Sequence, residues 1–69
     1  MEQKPQAIRR EEATQAILRA AADHFAEFGF DGASLNTIAD LSGCSKQRLL
    51  YYFDSKDQLW RAATDWVFG

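Results

Sequence analysis

From Ser45 to Lys56 the chain reads SKQRLLYYFDSK. An ammonium, an amide and a guanidinium stand side by side at Lys46, Gln47 and Arg48, and two phenols follow at Tyr51 and Tyr52. No carboxylate interrupts them until Asp54. Arg can pair bidentately with guanine O6 and N7, and Gln with adenine N6 and N7. Tyr hydroxyls and a Lys ammonium suit phosphate oxygens. The chemistry of this stretch is therefore recognition of a base-paired polyanion. It is not bond-making chemistry. The only His (His24) and the only Cys (Cys44) lie twenty residues apart, and the chain has neither a glycine-rich phosphate loop nor metal-ligand spacing. No enzyme activity, cofactor or metal is expected.

Such side chains read DNA only when a rigid element presents them on one face. At 100° per residue from Lys46, Leu49 and Phe53 point inward, while Gln47, Arg48 and Tyr51 point outward. Leu50 and Tyr52 flank the two faces. Lys46 leans toward the core side, but in the first turn, where a long side chain still reaches out. Ser45 has N-cap chemistry for this helix, expected over Lys46 to Tyr52 or Phe53. Gly43 precedes it, in a turn that calls for a positive φ. A short helix, Leu35 to Ser42, comes before the turn, with Ser34 as its N-cap and with Leu35, Ile38, Ala39 and Leu41 as apolar contacts. Two short helices joined by a glycine-containing turn make a helix-turn-helix.

The remaining segments supply the support. From about Arg10 to Phe28, Ile17, Leu18, Ala21, Phe25 and Phe28 form one stripe at helical spacing, and Gly29 ends that helix as a C-cap. Ser55 and Gln58 form a capping box for a last helix, with Leu59, Ala63, Trp66 and Val67 along one side. Residues 1–9 are read as a flexible arm and residues 10–69 as one domain. The expected fold is all-α: a small homeodomain-like bundle of three helices plus the start of a fourth, with the helix-turn-helix at about 34–53.

The bulk numbers agree. Sixty-nine residues hold one domain, and a hydrophobic fraction of 46% supports a small packed core. The net charge of −2 is unevenly spread: residues 1–10 carry +2, residues 11–41 carry −5, residues 42–56 carry +2 and residues 57–69 carry −1. That excludes a histone-like nonspecific binder but not a reader with a local basic face. A single cysteine excludes an internal disulfide, and a reducing cytoplasmic setting is expected. Neither a signal-peptide pattern nor an apolar run of membrane-spanning length appears.

The segments ILRAAADHFAEFGFDGAS and IADLSGCSKQRLLYYFDSKDQL, in this order and spacing, resemble the DNA-binding domain of the TetR family of bacterial repressors. The resemblance covers about Arg10 to Leu59. It implies a homodimer on a palindromic double-stranded DNA operator, and a small-molecule effector bound by a larger C-terminal domain not contained in this sequence. It implies base or adjacent backbone contacts at Asn36, Lys46, Gln47, Arg48, Leu50 and Tyr51, and phosphate contacts or their support at Ser34, Thr37, Ser45, Tyr52 and Lys56. The family usually carries small residues where this chain has Gln47 and Arg48, and Tyr where it has Leu50. The longer pair implies more base readout than average. Trp60, Trp66 and Phe68 are expected to pack on the absent domain.

Two bland readings stand beside this one. Cys44 is expected to be a small buried hydrophobe rather than a redox sensor, and His24 neither a metal ligand nor a base. The alternative function is a helical protein-interaction module that uses the aromatic last helix.

Overall fold

The computed structural model describes the backbone of residues 6–69 and the side chains of residues 11–69. Four helices follow one another: α1 (Gln6–Gly32), α2 (Leu35–Ser42), α3 (Lys46–Tyr52) and α4 (Lys56–Phe68), and no strand occurs among the described residues. The all-α bundle with a helix-turn-helix is thus the fold. The fourth helix runs for 13 residues of the given sequence. Of the arm expected over residues 1–9, residues 1–5 lie outside the described residues. Residues 6–9 belong to α1, in keeping with the good helix propensity of Gln, Ala and Arg there.

Each boundary has a local cause. The three expected N-cap serines all cap: the Ser34 hydroxyl oxygen accepts from Thr37 N–H (3.3 Å), that of Ser45 from Arg48 N–H (3.1 Å) and that of Ser55 from Gln58 N–H (3.1 Å). Gln58 also reaches back, as its Oε1 accepts from Asp54 N–H, one residue before the cap where the sequence pattern placed that bond. Gly43 takes up φ 81°, ψ 23°, the left-handed conformation the turn requires, and its N–H bonds to the carbonyls of Ala39 and Asp40. Gly29 breaks α1 rather than capping it. At φ 77°, ψ 174° it occupies a region nearly closed to other residues, and one further turn follows before Ala33 N–H returns to the Gly29 carbonyl at 3.1 Å.

The core draws on every helix. Ile17, Ala21 and Phe25 come from α1, Ile38 and Ala39 from α2, Leu49 from α3, and Leu59 and Ala63 from α4, with Ala33 from the α1–α2 turn. α1 lies against both α2 and α4, and α3 packs on α2. Ala39 is small where α3 must come close, and its carbonyl accepts from Cys44 N–H at 2.9 Å. Each large aliphatic side chain removed from water here contributes roughly 1.5–3 kcal/mol.

Several apolar residues expected on the core side are not in it. Phe28, Leu41, Trp66 and Val67 are exposed, as is Phe68. The helical stripe on α1 is longer than the surfaces that cover it, so Phe28 stays exposed beside the His24 ring, 4.7 Å between centroids. Trp60 is also partly open to solvent, at 37%, but unlike Trp66 and Phe68 it meets rings of this domain, Phe25 edge-on at 5.0 Å and Phe30 at 5.8 Å.

Candidate nucleic-acid interface

A helix of seven residues cannot hold its place by propensity alone. α3 is held by one fully buried side chain, Leu49, by the half-buried Leu50, Tyr52 and Phe53 packed against the core, and by the Ser45 cap. Phe53 closes the helix, its N–H bonded to the Leu49 carbonyl at 2.9 Å. With that side fixed, Lys46, Gln47, Arg48 and Tyr51 face solvent, and Tyr51 is 72% exposed. The division of faces matches the wheel drawn from sequence.

What these exposed groups leave unbonded matters most. Among the described residues no hydrogen bond or ion pair engages the side chains of Lys46, Gln47 or Arg48. The solvent-facing ion pair that does form, Arg61 with Asp57 at 3.1 Å, lies on α4. The donors of α3 are therefore free for a partner and are carried on a backbone already fixed. Ser45, Gln47, Arg48, Tyr51 and Tyr52 line one shallow, open depression. The two tyrosine rings meet edge-on, 5.4 Å between centroids at 72°, which restrains both phenols.

The other expected contact residues stand around this group. Asn36 and Thr37 are exposed in the first turn of α2, and Ser34 is half-buried at its cap. Lys56 opens α4 with its Nζ 4.8 Å above the Phe30 ring, a cation–π contact that steadies a half-buried side chain. No hydrogen bond, ion pair or ring contact ties Asn36 or Lys56 to the α3 group among the described residues. Cys44 is half-buried against the core beside the Ser42 hydroxyl, 3.4 Å away, in keeping with a small hydrophobe.

Two residues with structural parts to play escaped the sequence reading. Phe30 forms the platform under Lys56 and the wall against Trp60. His24 is buried, and its Nε2 accepts from Ser34 N–H at 3.1 Å. Its signal was present: His24 falls three residues after Ala21 and seven after Ile17, on the buried stripe.

Comparison with known proteins agrees with this arrangement. The family model described as "Bacterial regulatory proteins, tetR family" matches residues 17–63. The HTH-type transcriptional regulator RutR of Escherichia coli (strain K12) is 56% identical over 48 residues, which cover 70% of this chain and 23% of that protein. RutR of Shigella flexneri matches with the same identity and coverage. The chain thus spans about a quarter of the length of these curated relatives. The matches do not favour the interaction-module reading, and they point to regulation rather than to an enzyme. A capped helix-turn-helix with a free polar face, matched over most of its length, places the chain in the tetR family of bacterial regulatory proteins as a DNA-binding domain of a transcriptional regulator.

Proposed function

We propose that α3 enters the major groove of double-stranded DNA and reads sequence there through Gln47 and Arg48. The carrying observation is that these two side chains are exposed and unbonded on a helix fixed from behind by Leu49 and capped by Ser45. Each bidentate pair with a base edge is worth about 1–3 kcal/mol of discrimination. Lys46, Leu50 and Tyr51 contact neighbouring bases or backbone, and Asn36 does so from α2. Ser34, Thr37, Ser45, Tyr52 and Lys56 contact or support contacts to phosphates, which set register without reading sequence.

The whole protein acts, in this reading, as a cytoplasmic, ligand-responsive repressor. It binds a palindromic operator as a homodimer, with two copies of α3 about 34 Å apart on one face of the duplex. The effector binds outside this domain. Joining two weak half-site contacts in one dimer raises affinity through effective concentration.

Selection of bound DNA from a random pool tests this, with the chain joined to a neutral dimerising segment and Arg48→Ala run in parallel. The reading requires an enriched palindrome whose recovery drops with the variant. Equal, unselective recovery by both proteins would leave only phosphate affinity and refute base readout.

A further inference from the structure

The DNA-facing surface makes no use of His24, the one buried polar side chain of the described core, 8% exposed. From α1 it reaches across to the start of α2, ten residues on, where its Nε2 accepts the Ser34 N–H at 3.1 Å. Only a neutral ring with its proton on Nδ1 can accept there. Phe28 covers the ring, at 4.7 Å between centroids.

The bond fills a gap in the local sequence. Ser34 is the N-cap of α2, and in a capping box the residue three positions on reaches back to the N-cap N–H. That residue is Thr37; its N–H donates to the Ser34 hydroxyl as in a capping box, but its side chain lacks the length of a Glu or Gln to return the bond. In α4 the equivalent position holds Gln58, whose side chain does reach back, to the adjacent Asp54 N–H. α2 has no such residue of its own, and α1 supplies the acceptor instead. A partly buried N–H is thereby satisfied by a group that also ties the helix-turn-helix to the long helix behind it.

We propose that His24 is a positioning residue for DNA binding, acting through Ser34. By holding the Ser34 N–H it fixes the first turn of α2, and with it the places of Ser34, Asn36 and Thr37 against the DNA. This rests on the DNA-binding reading above.

Two variants and one spectroscopic signature test it. His24→Leu keeps apolar bulk and removes the acceptor. His24→Gln sets a carbonyl oxygen about where Nε2 stands. In 15N-labelled unaltered protein a scalar coupling is expected between the Ser34 amide nitrogen and His24 Nε2, through the hydrogen bond. Affinity is then measured on a DNA fragment selected with the unaltered protein, at equal folded fraction by circular dichroism. His24→Leu should weaken binding about threefold to tenfold, the equivalent of one neutral hydrogen bond. His24→Gln should stay within about twofold of the unaltered protein, a rescue that loss of core volume would not give. Equal affinity of all three proteins, failure of Gln to rescue, or absence of the coupling would each overturn the role. If His24→Leu does not fold, His24→Gln and the coupling decide. Failure of the unaltered protein to select any fragment would bring down the DNA-binding reading itself, and the positioning role with it, even where the coupling is seen.

Discussion

The α1–α4 side and the α2–α3 side of this domain are held together in different ways. Between α1 and α4 the contact is broad: the rings of Phe25, Phe30 and Trp60 meet one another, and Leu59 and Ala63 are buried in the core with Phe25. Between α2 and α3 the joint is small: Ile38, Ala39 and Leu49 in the core, one left-handed glycine, and a serine cap on each helix. The broad joint carries stability through area. The small joint carries position through specific backbone conformations and a few hydrogen bonds. A reading helix needs the second kind, because its exposed face must stay free for DNA while its orientation is fixed.

That contrast can be broken most severely at Leu49. Leu49→Ala should cost about 2–5 kcal/mol, because it empties the only fully buried anchor of α3. Thermal denaturation should show a large fall in Tm, with DNA binding lost as well. A loss below about 1 kcal/mol would mean that α3 is held elsewhere.

Arg48→Ala should weaken binding without loosening the fold. The side chain is exposed and unbonded, so stability should change by less than about 0.5 kcal/mol. Specific DNA binding should fall by about 1–3 kcal/mol, measured by titration of the selected operator. Binding and stability separate here, whereas at Leu49 they fall together.

Gly43→Ala probes the turn itself. A Cβ there would meet nothing within 4 Å, so the cost is purely conformational, about 1–2 kcal/mol for an L-residue at φ 81°. Chemical denaturation should report that loss with little change in slope. At the small end, Ser45→Ala should cost about 1 kcal/mol through the lost cap. Part of that loss should appear as weaker DNA binding, since Ser45 starts the reading helix. Ser55→Ala, which removes the same kind of bond from α4, should cost a similar amount of stability and affect binding less.

Most of the small joint was legible in the sequence. Serines before apolar periodicity marked all three N-caps, and Gly43 marked the left-handed turn, because these residue types are chosen for local backbone reasons. The two faces of α3 also followed from period alone, since Leu49 and Phe53 are the apolar pair one turn apart. The broad joint was less legible. Phe28 and Trp60 are both aromatic residues on amphipathic helices, yet Phe28 is 53% exposed while Trp60, at 37%, sits edge-on to two rings. Which neighbour covers a stripe is a tertiary property, and periodicity does not encode it. Gly29 was recognised as a stop, but its ψ of 174° adds a further turn that a simple C-cap would not. The burial of His24 was signalled by its place on the α1 stripe, but its bond was not, because the partner is a backbone N–H ten residues away.

In the proposed reading, the exposed face of α3 reads base sequence, beyond attracting DNA by charge. The most direct test measures the affinity of the unaltered protein and of Arg48→Ala for operators changed at each base pair in turn. Arg48→Ala should flatten discrimination at one symmetric pair of positions and leave the others intact. Uniform weakening at every position would assign Arg48 to the phosphate backbone and contradict that reading.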